Sequence, residues 1–419
     1  MGSMSWSLYR SVLRFCHAFR GNPRAFPRDR MRLGATLGIP RVAAVATLLL
    51  VVIVEGCAVT AETAGAARRP PPPLPVAELL LVGFGGTQVE GNDEVQSLVC
   101  DIKVGGLILF ERQGGTGEPR NILGPEQVHQ LTSDLQALAM KCAGRPLFIA
   151  ADNEGGLVMR LSTRVGYLPT PAPRALGEAG DVAATELEAR RMAATLREAG
   201  INWNLAPVVD VAVNPLNPAV VTLGRTFSSD PDRVIAHARA FILGMHEAGI
   251  LTSLKHFPGH GSSLKDSHLG FVDVTDTADL KLELKPYRAL IKEGLADSVM
   301  TAHVFNRGID PWNPATLSRF TIKRYLRGKL KYAGPVVSDD LLMGAIRQRY
   351  GVEEAAVLAL QASVDILLVS QNQGKVERGT AERVVAEIRS AIADGRLSRK
   401  SVSAALDRVR KFRARLLIP

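Results

Sequence analysis

The sequence predicts an α/β fold, a (β/α)8 TIM barrel forming a single catalytic domain, on three observations. From residue 76 onward, short apolar, β-branched runs alternate with amphipathic stretches of helical period. Eight such runs can be counted, spread over about 320 residues, the expected size of an eight-fold barrel with modest insertions. Ionisable residues recur at the C-terminal end of the runs, where a barrel of this kind carries its site. A doubly wound open sheet is the alternative, weakened because no GxGxxG follows the first run.

The chain begins with a basic segment. The protein has 419 residues and a net charge of +10. Residues 1–70 hold ten arginines against Asp29, Glu55 and Glu62, a sum of +7, which leaves +3 (10 − 7) over the remaining 349 residues. A near-neutral body removes the main support for a nucleic-acid partner, and none is expected. Residues 42–54 (VAAVATLLLVVIV) are thirteen apolar or small residues without a charge, preceded by Arg32 and Arg41. That is short for a membrane span and right for a signal-peptide core. Val54-Glu55-Gly56-Cys57 then resembles a bacterial lipoprotein processing site, in which the cysteine becomes lipidated; an uncleaved anchor is the competing reading. Residues 58–75, with Pro70 to Pro73, read as a tether. The division is therefore a basic signal or lipoprotein-type region over 1–57, a Pro-rich tether over 58–75 and the barrel with a C-terminal helix over 76–419. An exported protein, held to the membrane of the bacterial periplasm or cell surface by its N-terminal anchor, is expected, as a monomer. Cys16, Cys57, Cys100 and Cys142 show no CxxC spacing, which argues against a cysteine zinc site. Cys100 and Cys142 are either bridged, in an oxidising compartment, or buried free thiols.

In the body, strands are expected over 79–84, 106–110, 147–151, 202–211, 252–256, 299–303, 335–339 and 365–369. Apolar runs of this length suit parallel strands covered on both faces. Helices are expected over 125–141, 182–199, 233–248, 280–293, 317–330, 353–362 and 382–394, after a weak first crossover at 93–101. Gly200, Gly249 and Gly294 stand where a left-handed C-cap leads a helix into the next strand. A closing helix over 400–413 should turn its arginines and lysines to solvent.

The strand ends carry Asp152-Asn153-Glu154, Asp210, Lys255-His256, His303 and Ser338-Asp339-Asp340. The densest group is Lys255-His256-Phe257-Pro258-Gly259-His260-Gly261 with Asp266-Ser267-His268. It holds three histidines within fourteen residues of a chain that has eight. Two chemistries fit: metal-assisted hydrolysis with His256, His260, His268, His303 and an aspartate as ligands, and metal-free glycoside cleavage between a carboxylate and a proton donor. Residue types leave both open.

The KHFPGHG…DSH string resembles the signature of family 3 glycoside hydrolases of the β-N-acetylglucosaminidase branch. DNEGGLVMR (152–160), GRTF followed by DP (224–227, 230–231) and SDDLLMGA (338–345) match in the family's order, and the resemblance covers roughly 76–400. It implies a retaining exo-β-N-acetylglucosaminidase acting on peptidoglycan fragments or related glycans, a carbohydrate substrate, and no metal or cofactor. Asp339 matches the nucleophile that forms a glycosyl-enzyme ester. His268 matches an unusual histidine acid/base, with Asp266 orienting its ring. Asp152, Arg160, Arg225, Lys255 and His256 match sugar-binding positions. Glu154 is expected beside Lys255 or Arg160, His260 to shape its loop, His303 to line the site, and Asp340 to cap a helix. Asn153 departs from the glutamine of DQEGG. Another family 3-type β-glycosidase or phosphorylase, or a metal-dependent barrel hydrolase, is the alternative.

Overall fold

Eight short parallel strands stand side by side in the computed structural model, which describes residues 72–372 and 377–416. They are β1 (Leu80–Gly83), β2 (Gly106–Ile108), β3 (Phe148–Ala151), β4 (Trp203–Asn204), β5 (Leu251–Phe257), β6 (Ser298–Thr301), β7 (Val336–Val337) and β8 (Leu367–Val369). Each pairs with its sequence neighbour, and β8 pairs with β1. A parallel bridge from Val337 to Ile366, with the Ser338 N–H donating to the Ile366 carbonyl at 2.9 Å, joins β7 to the entry of β8 and closes the barrel. The strand residues are buried throughout, as expected when helices cover one face and the barrel interior the other. Each fully buried valine, leucine or isoleucine contributes roughly 1.5–3 kcal/mol to that core.

The crossovers are helical: α1 (Asp93–Gln96, running on through Ser97–Ile102), α2 (Pro125–Ala143), α3 (Val182–Glu198), α4 (Pro231–Glu247), α5 (Leu280–Lys292), α6 (Phe320–Lys329), α7 (Val352–Ala362) and α8 (Thr380–Ala393). Side chains of Asn92, Asp181, Asp230 and Asp279 accept the first free N–H groups of α1, α3, α4 and α5. Gly200, Gly249 and Gly294 adopt the left-handed conformation (φ 70°, 72° and 75°) in which a helix stops and the chain turns toward a strand.

Three expectations change. The strand expected over 202–211 keeps regular pairing only at Trp203–Asn204. Pro207 has no N–H to donate, and from there the backbone pairing with β5 continues only as the Val208–Lys255 bridge, with the Lys255 N–H on the Pro207 carbonyl and the Val209 N–H on the Lys255 carbonyl. Cys100 and Cys142 form a disulfide between α1 and α2, closing a sequence separation of 42 residues; they are half-exposed, so the buried-thiol reading falls. The closing helix α9 (Arg399–Arg413) is only partly solvated. Phe412 packs against Phe148 and Trp203, while Arg413 is buried against Glu78, and Arg408 reaches Asp365. Those partners stand at or just before the first residues of β3, β4, β1 and β8, so α9 lies across the N-terminal end of the barrel.

The N-terminal apolar run, Cys16, Cys57 and the tether as far as residue 71 lie outside the described residues. Among the described residues, no helix is long and apolar enough to cross a membrane.

Candidate functional site

The predicted site residues converge at the C-terminal ends of the strands, around a cavity of about 290 Å³. Asp152, Arg160, Arg225, Lys255, His256, His268 and Asp339 line it together, with Phe110, Met300 and Met343 as apolar walls. This volume is at the small end of ligand pockets, suited to one sugar ring rather than a length of glycan.

The floor is an ion network. Lys255, near the end of β5, is almost fully buried and places Nζ 2.8 Å from Asp152 Oδ1 and 2.6 Å from Glu154 Oε1. Arg225 donates in fork geometry to both Glu154 oxygens, at 2.8 and 2.7 Å, and Arg160 reaches Asp152 at 3.3 Å. Glu154 thus partners Lys255, as expected, and Arg225 rather than Arg160. Burial alone would raise both carboxyls. The Arg225 and Lys255 charges outweigh it at Glu154 and bring it to about 2, while Lys255, Arg160 and Arg225 hold Asp152 well below the carboxylate range. Burial would lower the Lys255 ammonium, but Asp152 and Glu154 raise it above its ordinary value. Breaking a buried, charged network of this kind costs several kcal/mol. Lys255→Met is therefore expected to lower unfolding stability by about 3–5 kcal/mol. A denaturant midpoint at the wild-type value would show that the network is not load-sharing.

A second group holds the histidines. Asp210, fully buried (0% exposed), accepts from His256 Nδ1 at 2.7 Å, from the His256 N–H at 3.2 Å and from the His260 N–H at 2.8 Å. The Arg225 guanidinium, which only donates, lies 3.3 Å from His256 Nε2, so that nitrogen accepts and Nδ1 carries the proton. Burial opposes ionisation of Asp210, and His256 and His260 bring its pKa down nonetheless. Sequence reading placed Asp210 at a strand end without giving it a role; only the fold shows that it faces the loop 50 residues on. His260 turns Nε2 to Ser267 Oγ at 3.0 Å, tying the loop to the Asp266–His268 turn, as a loop-shaping residue should. Burial lowers its pKa to about 4. The glycines of FPGHG are close-approach positions: a Cβ on Gly261 would lie 1.7 Å from the Val211 carbonyl oxygen, and one on Gly259 (φ 143°) 2.6 Å from Glu283 Cβ.

His268 stands at the cavity edge, half-exposed, with Nδ1 2.7 Å from Asp266 Oδ1. The same oxygen accepts the His268 backbone N–H at 2.9 Å, which fixes the turn. The hydrogen bond to His268 brings Asp266 to about 2, against the effect of burial. Burial lowers the His268 pKa; the Asp266 hydrogen bond and the Asp339 charge outweigh it, and the net shift is upward.

Asp339 follows β7 by two residues. Its backbone N–H donates to Thr301 Oγ1 at 3.3 Å, and its Oδ1 accepts the Asp340 N–H at 2.8 Å. Burial would raise its pKa, but His303, His256 and His268 hold it below the ordinary value. His303 donates from Nε2 to the Asp340 carbonyl at 2.8 Å and places Nδ1 2.7 Å from Thr316 Oγ1, so it holds the backbone one residue past Asp339. Asp340 is not the helix cap it was expected to be. Its carboxylate takes the Ser370 N–H and hydroxyl and the Leu342 N–H, pinning the end of β8 to the end of β7. The next helical turn begins after Met343. Burial raises the Asp340 pKa to about 6. The roles of Ser370, Arg120 and Asn372 carried no sequence signal: Arg120 gathers the carbonyls of Phe84, Ser370 and Gln371 and the Asn372 amide oxygen, closing the loops after β1, β2 and β8 together.

Among the described residues, no set of three His, Cys, Asp or Glu is placed to hold a metal ion.

Residues 75–412 match the family model described as the glycosyl hydrolase family 3 N terminal domain. A curated β-hexosaminidase of Alkalilimnicola ehrlichii is 37% identical over 298 residues, which is 69% of this chain and 80% of that protein. One of Idiomarina loihiensis is 34% identical over 339 residues, 79% of this chain and 96% of its own. Among solved structures, a family 3 β-N-acetylglucosaminidase from Paenibacillus sp. superposes with a TM-score of 0.74 at 35% identity. That match covers 81% of this chain and 62% of the longer Paenibacillus one. A β-N-acetylhexosaminidase from Beutenbergia cavernae gives 0.72 at 30% identity, covering 81% of this chain and 97% of its own. The chain belongs to glycosyl hydrolase family 3.

Proposed function

We propose that this family 3 protein is a retaining exo-β-N-acetylglucosaminidase that removes terminal N-acetylglucosamine from peptidoglycan fragments or related glycans. The observation that carries the reading is the convergence, on one sugar-sized cavity, of an ionised carboxylate and an aspartate-oriented histidine. In the first step an Asp339 carboxylate oxygen attacks the anomeric carbon and the glycosidic C–O bond breaks. The His268 Nε2 proton passes to the departing oxygen, leaving an alcohol and a glycosyl ester on Asp339. In the second, water attacks the same carbon while neutral His268 takes its proton, and the Asp339 carboxylate is released with the imidazolium restored. Asp266 holds the ring so that Nε2 is the nitrogen facing the reaction. Asp152 accepts hydrogen bonds from the sugar's outer hydroxyls, Arg160, Arg225, Lys255 and His256 position the ring, and His303, His256 and His268 keep Asp339 anionic.

The histidines that a metal hydrolase would need have other partners: His256 is bonded to Asp210, His260 to Ser267, His268 to Asp266 and His303 to the Asp340 carbonyl. The signal-like run 42–54 and Cys57 support an exported protein tethered to the membrane.

An aryl N-acetyl-β-glucosaminide should be hydrolysed at least about 10²-fold faster, in kcat/KM, than the matching glucoside, at a rate unaffected by chelator. Equal rates on the two sugars would remove the N-acetyl specificity. Activity lost to chelator and restored by zinc would favour the metal-dependent alternative, and acceleration by phosphate would favour a phosphorylase.

A further inference from the structure

The +3 of the body conceals a strong separation of charge. Residues 319–331 carry six lysines and arginines and no acid, and residues 396–415 carry eight against Asp407. These two stretches sum to +13, so the rest of the body is −10 (3 − 13). They are far apart in sequence but adjacent in the fold: Arg319 and Lys323 of the first line one groove of about 160 Å³ with Arg396, Ser398, Ser401 and Arg408 of the second. Six of the fourteen cations have carboxylate partners: Arg327 and Arg408 on Asp365, Arg410 and Arg413 on Glu78, Arg415 on Asp297, and Arg396 on Glu387 and Asp394. Among the described residues, the other eight have none. Lys323, Arg324, Lys400 and Lys411 are exposed.

This face belongs to α9 and its neighbours, across the N-terminal end of the barrel and away from the cavity that holds Asp339. The chain also enters here: Arg399 of α9 donates to the carbonyl of Pro72, the first described residue. Before Pro72 come 71 residues that contain the apolar run 42–54.

We infer that this basic face seats on the anionic headgroups of the lipid surface to which the preceding segment tethers the protein. Three observations favour a lipid surface as occupant: the segregated charge, the groove of cations and serine hydroxyls sized for a phosphate-bearing headgroup, and the entry of the chain at that face. One lipid chain gives only marginal, reversible membrane attachment, whereas a chain combined with a basic patch holds stably. Because α9 crosses the N-terminal end of the barrel and the cavity opens at the other, a protein seated on this face turns its mouth away from the surface.

The test is co-sedimentation of the full-length protein with phosphatidylcholine vesicles, with and without phosphatidylglycerol. The wild type should prefer the anionic vesicles. Lys323→Gln/Lys400→Gln/Lys411→Gln should reduce that preference about 100-fold, near fivefold for each neutralised lysine. Binding to phosphatidylcholine alone and hydrolysis of the aryl substrate should not change. The triple glutamate variant should remove the preference altogether. An unchanged preference in both variants would place it in the arginines of residues 1–70 and overturn the inference. Displacement from anionic vesicles by inorganic phosphate, at constant ionic strength, would equally overturn it, because the groove would then be a site for a soluble anion.

Discussion

Asp339→Ala is expected to lower kcat on an aryl N-acetylglucosaminide by about 10⁴-fold or more, the scale on which loss of a covalent nucleophile is felt. Among the described residues, the Asp339 carboxylate accepts one hydrogen bond, from the Asp340 N–H to Oδ1. The peptide around it is held independently by His303 at the Asp340 carbonyl and by the Asp340 carboxylate on Ser370. The variant should therefore fold and melt like the wild type. A 2-fluoro sugar with a good leaving group, which slows breakdown of the ester more than its formation, should label the peptide carrying Asp339. Retained turnover, or a label on another peptide, would refute the nucleophile assignment.

His268→Ala should cost about 10²- to 10⁴-fold on substrates with a poor leaving group, the usual range for general acid–base catalysis. Loss should be much smaller in the first step on aryl glycosides, whose phenolate leaves without a proton. The glycosyl ester should then accumulate, because the second step still needs a base, and a small nucleophile such as azide should restore turnover. The pH profile follows from the shifts. The productive free enzyme has Asp339 ionised and His268 protonated. Asp339 is held below its ordinary pKa, so the acid limb lies at low pH. The His268 pKa is raised above that of a free imidazole, so the alkaline limb lies higher in pH than an unperturbed histidine would place it, and activity declines as the pH rises through that raised value. Asp266→Asn removes the main source of the upward shift and should move the alkaline limb of kcat/KM to lower pH. An alkaline limb that stays in place would mean that another group sets it.

The fold was legible because a parallel barrel repeats two periods eight times, and its apolar strands are too short and too buried to be anything else. Where reading failed, a single residue or a distant partner decided the outcome. Pro207 interrupts a ten-residue run of strand-like composition, leaving two residues in regular pairing and an isolated bridge at Val208, because a missing N–H matters more to a ladder than apolar character. Asp339 and the Lys255 group were visible because they stand at strand ends within family motifs, and His268 because it completes the motif that begins at Lys255. Asp210 stands at a strand end too, but its meaning lies in two ring and backbone contacts with a loop that sequence cannot place beside it. Asp340 next to a helical turn suggested a cap, whereas its true partner, Ser370, comes from the next strand. The basic face escaped notice for a related reason: net charge adds over the chain, but a surface is assembled from segments some seventy residues apart.

Phe412 has a consequence for how the molecule is held together. It closes the barrel floor against Phe148 and Trp203, and its neighbour Arg413 grips Glu78 ahead of β1. The first strand is thus clasped by a helix 335 residues further along the chain. That clasp lies at the end of the barrel away from Asp339, so a change in it acts on the floor of the domain and leaves the cavity walls in place.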